Sequence, residues 1–210
     1  MERSVSSRRA TDQDLEAVTE TLTLAFADDP VWGGWAFPDR GHATEQRRAF
    51  FGLWLKSSLR NRWLRVTERC KAVAAWFPPG VVESTGEEAR RLVFMAENLL
   101  GGHAGVFLKG ADLFEASHPR DRTHYYLSLL GTHDNHRGKG LGMGLLRENL
   151  ALIDAENMPS YLESTNPGNL SRYERLGFAK IDAFTLPGGG PRVDTMWREP
   201  GGRTLPAARA

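Results

Sequence analysis

The chain has one cysteine, Cys70, in 210 residues. An internal disulfide is therefore excluded, and so is a cysteine-built metal cluster. No apolar run approaches ~18 residues, the length that reads as a membrane-spanning helix. Charge bias is also missing: 27 Lys and Arg stand against 26 Asp and Glu, for a formal charge of +1. With both signs interspersed, neither a nucleic-acid surface nor an anionic-membrane surface is expected. The small clusters Arg60-Asn61-Arg62 and Arg90-Arg91 read as solvated faces. The stretch Met1 to Gln13 is polar and has no signal-peptide core, so a cytoplasmic protein is expected. No internal repeat is found, and the length suits one domain with a sizeable core.

What the chain does have is glycine in a telling place. Arg137-Gly138-Lys139-Gly140-Leu141-Gly142 follows the apolar run from His124 to Leu130 and opens an amphipathic segment. Three glycines at alternate positions leave a strip of backbone that no Cβ shields. Glycine also reaches the φ > 0 conformations that turn consecutive N–H groups toward one point. Where such a strip runs into a helix N-terminus, unpaired N–H groups and the positive end of the dipole create an anion site. A phosphate-bearing ligand is implied. A Walker loop is excluded, because Lys139 is followed by Gly140 rather than by a hydroxyl residue. A dinucleotide fingerprint is excluded too: the last glycine of Gly-x-Gly-x-x-Gly would fall on Met143, Leu145 or Arg147.

A second segment stands about thirty residues on. Tyr161-Leu162-Glu163-Ser164-Thr165-Asn166 reads as a strand, and Pro167 to Phe178 as a short helix closing in Tyr173-x-x-x-Gly177-Phe178. Gly177 there suits a helix C-cap.

The two motifs in this order, Arg-x-x-Gly-x-Gly and Tyr-x-x-x-Gly-Phe with a preceding Asn, resemble the GNAT superfamily of acetyl-CoA-dependent N-acetyltransferases. Within it, His124-Tyr125-Tyr126-Leu127, Ala25 to Pro30 and Tyr173 to Phe178 are similar to the branch that includes puromycin N-acetyltransferase. The proline usual before the glycine loop is replaced by Asp134. The element order also follows that plan over nearly all the chain: strand, two helices, a hairpin over Trp63 to Phe77, a helical insert, the central strand His124 to Thr132, the glycine-loop helix, a strand, a short helix and two strands. Overlapping capping boxes, Ser84 with Glu87 and Thr85 with Glu88, announce the insert. The fold implied is α/β, a mixed and mostly antiparallel sheet splayed between two parallel middle strands, with helices on both faces. One domain spans 1–200, and a disordered tail is expected over 201–210.

The resemblance implies a cofactor-binding set. Backbone N–H groups of Arg137, Gly138, Lys139, Gly140, Leu141 and Gly142 would hold the CoA pyrophosphate. Leu130, Gly131 and Thr132 would pair with the pantetheine arm, and Asn166, Asn169, Ser171 and Tyr173 would border it. The acetyl group passes directly to an amine in this family, without an acyl-enzyme. Tyr173 is the candidate general acid for the departing thiolate, since a phenol of ordinary pKa about 10 is protonated at neutral pH. Glu163 is the candidate base, and a structural hydrogen-bond acceptor is an equal reading of it. Cys70, in a hairpin turn, reads as a bystander thiol rather than a nucleophile.

For the acceptor, the resemblance points to Asp28, Trp32, Trp35, Trp76 and His124, with Phe37 and Phe77 as further aromatic candidates. Stacking and cation–π contacts would suit a flat or cationic small-molecule amine. No metal site is expected, and the chain reads as a monomer or homodimer. Two other functions stay open on sequence alone: an acyl-CoA-binding protein without catalysis, and acetylation of a peptide or protein amine. A longer acyl donor would need a wider channel near Ser128 and Leu130.

Overall fold

The structure, a computed structural model, describes residues 5–202. Its centre is the strand Tyr125–Thr132, which we label β4 in chain order after β1 (Ser7–Arg9), β2 (Leu64–Thr67) and β3 (Ala72–Phe77). Strands β5 (Ser160–Ser164), β6 (Ala179–Thr185) and β7 (Arg192–Arg198) complete a seven-stranded sheet of order β1-β2-β3-β4-β5-β7-β6. Every neighbouring pair is antiparallel except β4 and β5. This is the mixed, mostly antiparallel α/β sheet that the sequence motifs imply.

The β4–β5 pair is short. Tyr125, Tyr126 and Leu127 register with Ser160, Tyr161 and Leu162, and beyond Leu127 the two strands part. On its other side β4 stays paired with β3 as far as Thr132. The parity of that ladder matters. His133 N donates to Lys71 O at 2.9 Å. Alternate residues of an antiparallel strand face the same neighbour, so Leu130 and Thr132 direct their N–H groups away from β3 and into the gap.

Helices α1 (Leu15–Ala25), α2 (Ala43–Arg60), α3 (Gly86–Leu99) and α4 (Ala104–Ser117) cover one face. Their apolar stripe packs Leu22, Phe51, Leu55, Ala96 and Phe107 against Val66, Val73, Ala75 and Leu129. Helix α5 (Leu141–Ala155) covers the opposite face with Leu145, Leu146, Leu150 and Ile153 against Ala72, Ala74, Trp76 and Leu127. The two-residue period of β3 thus divides its side chains between the two cores. Thr85 caps α3 by accepting from Glu88 N at 3.2 Å, while Glu88 Oε2 accepts from Thr85 N at 2.7 Å. Of the two overlapping boxes, the second is the one formed.

Two local expectations are revised. The tryptophan-rich segment after Pro30 is a turn of π-helix, Pro30–Trp35, rather than a loop. Asp29 caps it, accepting from Val31 N at 2.9 Å and Trp32 N at 3.0 Å. At the other end, Gly201 and Gly202 belong to a 3-10 turn, and Gly201 N donates to Asp154 Oδ1 at 2.8 Å. Arg198 fastens the same carboxylate, donating to both oxygens at 2.6 and 2.8 Å. The expected disordered tail, from Arg203 onward, lies outside the described residues. No helix among the described residues is long and apolar enough to cross a membrane.

Candidate active site

The glycine loop closes the turn between β4 and α5. Asp134, standing where a proline is usual, holds that turn: its carbonyl accepts from Arg137 N at 3.1 Å and its carboxylate from Asn135 N at 2.7 Å. Gly140 is the α5 N-cap at φ 74°, a left-handed conformation that glycine alone adopts freely. No side chain caps the helix, so its first N–H groups face outward, as an anion site requires. Gly142 permits close approach of helix and strand, because a Cβ there would lie 2.6 Å from Thr132 Oγ1.

These residues line an open cleft of about 560 Å³. Leu130, Gly131, Thr132, Arg137, Gly138, Gly140, Leu141, Gly142, Asn166, Asn169 and Tyr173 all border it. Lys139 and Ser171 are not on its wall: the Lys139 ammonium bends back to Asn135 O at 3.1 Å. The Arg137 guanidinium is also engaged elsewhere. It donates to Leu24 O at 3.1 Å and Ala25 O at 2.9 Å, and pairs with Asp28 at 3.3 Å. Carbonyls of the last turn of α1 lack the N–H four residues on that a continuing helix would supply, so Arg137 serves as a C-terminal cap. Asp28, expected at the acceptor, lies instead on the rim of this cleft with its side chain 85% exposed.

A second space, an internal cavity of about 140 Å³, opens from the first. Phe26, Asp29, Leu130, Asn169 and Tyr173 line both. Its walls are aromatic: Trp32 and Trp35 from the π-turn, Phe50 and Trp54 from α2, Phe107 and Phe114 from α4, and Tyr126 from β4. Trp32 stacks between Phe50 at 4.8 Å and Phe114 at 6.0 Å between ring centroids. Trp35 Nε1 donates to Pro187 O at 2.9 Å, and Trp54 Nε1 to Ser128 Oγ at 2.8 Å. Each indole is thus fixed by its polar atom while its ring faces the cavity.

Trp76 and His124 lie outside this cavity, contrary to expectation. Trp76 is fully buried on the α5 face, with Nε1 donating to Asn149 Oδ1 at 3.0 Å. Strand parity turns it away from the aromatic cavity. His124 precedes β4 at the end remote from the splay. Its Nε2 lies 3.0 Å from His118 Nε2 and its Nδ1 lies 2.6 Å from Arg122 O. Phe37 and Phe77 are core side chains. The sequence reading missed His118, Glu83 and Glu115, which all line the cavity.

The carboxylates there are unusual. Burial pushes Glu163 up to about 8, with the Glu83 charge adding to the effect and the Tyr126 and Tyr161 hydroxyls opposing it. Glu163 Oε1 is buried without a hydrogen-bond partner. Burial likewise pushes Glu83 up to about 7, against the pull of Arg120. Asp29 is raised by burial, although Trp32 N–H, the Thr165 hydroxyl and Val31 N–H all favour its charge. Tyr173 is pushed up to about 12 by burial and by the Asp29 charge. Its phenol packs edge-on against Phe178, ring centroids 6.1 Å apart, which sets its direction.

Comparison with known proteins agrees with this arrangement. Residues 75–178 match the model of the acetyltransferase (GNAT) family. The fold is similar to a Corynebacterium glutamicum structure described as histone acetyltransferase HPA2 and related acetyltransferase. That match has TM-score 0.68 and 24% identity, over 98% of this chain and 100% of the other. It is also similar to arylalkylamine N-acetyltransferase 2 of Aedes aegypti, at TM-score 0.60 and 15% identity over 94% and 99% of the two chains. Polyamine N-acetyltransferase of Drosophila melanogaster gives TM-score 0.58 and 15% identity over 93% and 99%. Glycine loop, splayed strands and family match coincide within residues 75–178, and that stretch carries the match to a GNAT-superfamily acetyltransferase domain.

Proposed function

We propose that this chain transfers the acetyl group of acetyl-CoA directly to the primary amine of a small molecule with an apolar or aromatic body. One observation carries the reading: the aromatic cavity holding Glu163 meets the glycine-loop cleft at Tyr173 and Leu130. A phosphate-bearing chain seated in the cleft would end at that junction. An amine in the cavity would reach the same point from the other side. Similar folds include enzymes named for arylalkylamine and polyamine acetylation, which supports a small amine, beside one described as a histone acetyltransferase. The enclosed shape of the cavity supports it too.

In this reading Leu130 and Thr132 offer N–H groups to the pantetheine arm, and an N–H of β4 stabilises the oxygen charge that develops as the amine attacks. Glu163 takes a proton from the bound ammonium. At about 8 its pKa lies between that of an ordinary carboxylate and that of an amine, so an entering cation draws it into the charged form. Tyr173 holds its proton near 12 and a thiol near about 8.5, so the phenol serves the leaving sulfur chiefly as a hydrogen-bond donor.

The test is thiol release from acetyl-CoA against a panel of phenethylamine, tryptamine, spermidine, puromycin and a lysine peptide. Puromycin tests the branch suggested by the sequence. Release with phenethylamine or tryptamine is expected. Tight acetyl-CoA binding without release to any amine would instead mark a non-catalytic acyl-CoA-binding protein.

A further inference from the structure

Acetylating an ammonium produces acid. The nitrogen forms its bond to the acetyl carbon and loses two protons, and the carbon–sulfur bond breaks. One proton ends on the CoA sulfur and the other must leave for solvent, once per turnover. A cofactor seated in the cleft fills the side of the cavity that opens there, so the proton needs another way out.

An outer groove of about 220 Å³ lies behind the cavity, bordered by Pro78, Pro79, Gly80, Arg120 and Arg122. Among the described residues, Glu83, His118 and Tyr126 line both the cavity and this groove. We propose that Glu83 is the outward proton carrier of the acceptor cavity, receiving the proton that Glu163 removes from the amine and releasing it to the outer groove. The inference rests on the acetyltransferase reading above.

Geometry suits the role. The Glu83 side chain is 19% exposed while facing the cavity, so it touches both phases. It sits 3.7 Å from the Arg120 guanidinium and 3.8 Å from His118 Nε2. The other groups acting on it or on Glu163 are Glu115 from α4, Tyr126 from β4 and Tyr161 from β5. Arg120 favours the charged carboxylate and the burial opposes it, which leaves a group that exchanges protons near neutrality.

The two alternatives do not. Tyr126 is raised well above 10 by burial, and His118 is pushed down to about 3 by burial and by His124 and Arg120. Neither changes protonation state near neutral pH. His118 has a positioning part. The Arg122 carbonyl can only accept, so His124 carries its proton on Nδ1, and His118 must donate from Nε2 to His124 Nε2. That bond fixes the ring beside Glu83.

The experiment compares wild type, Glu83→Gln and Glu83→Asp, using acetyl-CoA and the fastest amine of the panel, in dilute buffer with and without added imidazole. Glu83→Gln is expected to lower kcat by about 10- to 100-fold in dilute buffer with unchanged acetyl-CoA affinity, as for loss of a proton-transfer group. Imidazole, a small carrier, is expected to restore most of that rate. With a pH dye in stopped flow, proton release lags thiol release in the variant and coincides with it in wild type. Glu83→Asp keeps the charge beside Arg120 and supplies a folded intermediate case that imidazole lifts to the wild-type rate. Wild-type kcat in Glu83→Gln, or a loss that imidazole does not relieve, overturns the carrier role alone. Failure of wild type with every amine overturns the acetyltransferase reading and this proposal with it.

Discussion

The Arg137 guanidinium donates to the Ala25 carbonyl at 2.9 Å, tying the glycine loop to the end of α1. Its second acceptor, Leu24 O, is on the same helix turn. The family motif names this arginine beside a phosphate site, yet here its hydrogen bonds organise protein. Arg137→Ala is therefore expected to lower the Tm of the ligand-free protein and to weaken acetyl-CoA about 10-fold, as for loss of charge-assisted hydrogen bonds worth about 1.5–3 kcal/mol. Calorimetry and thermal melts check this. An unchanged ligand-free Tm with the same affinity loss would assign Arg137 to direct phosphate contact instead.

Gly140 and Gly142 fail differently when substituted. A side chain at Gly140 meets open space but must adopt φ 74°, whereas one at Gly142 meets Thr132 Oγ1. Gly140→Val combines the strain, about 1–2 kcal/mol, with a branched side chain over the N–H cradle. It is expected to abolish acetyl-CoA binding in calorimetry while circular dichroism stays near wild type. Near-wild-type affinity would remove the pyrophosphate assignment.

Glu163 gives a prediction in two parts. For a carboxyl raised to about 8, the folded state holds a proton that the unfolded chain has released above its ordinary value of 4.5. The group's stabilising contribution is thus present below about 4.5 and lost as pH rises through about 8. Glu163→Gln is expected to stabilise the fold by about 1–3 kcal/mol near pH 9 and to change little near pH 4. In kinetics the same variant is expected to remove the acidic limb of kcat/KM, which for wild type falls near 8. A pH profile that survives the substitution would leave Glu163 a structural acceptor.

Tyr173→Phe keeps the packing on Phe178 and removes only the hydroxyl. Loss of donor help to a leaving group costs about 10²–10⁴ in rate. The variant is expected to lose kcat while the KM for acetyl-CoA changes little. If wild type and Tyr173→Phe turn over equally, with chemistry shown to be rate-limiting, the hydroxyl has no part in the reaction.

The glycine-loop cleft is the part of this site most legible in the sequence, for a physical reason. The cleft is built from chain neighbours: one loop, the helix it opens, and the short helix after the next strand. Glycine spacing and the Tyr173–Phe178 interval record those local geometries. The aromatic cavity is assembled from distant pieces, and its far wall comes from α4 and the residues around Glu83 and His118. Nothing local marks these, since Glu83 sits beside a capping box and His118 before a proline, each with an ordinary reason for its place. Trp76 lies away from the cavity for a simpler cause. Its two-residue phase relative to Val73 and Ala75 puts it on the α5 face, and that phase is present in the sequence of β3.

The early parting of β4 from β5 has a consequence for how the molecule breathes. The β1–β4 half and the β5–β7 half share a hinge of paired residues at one end, from Tyr125 with Ser160 to Leu127 with Leu162. Such a joint lets the halves behave as separate cooperative foldons. Amides of Leu130 and Thr132 are expected to exchange with solvent through that opening until something occupies it. A ligand lying in the gap then acts as a removable staple between the halves, and slowed amide exchange would appear on both at once.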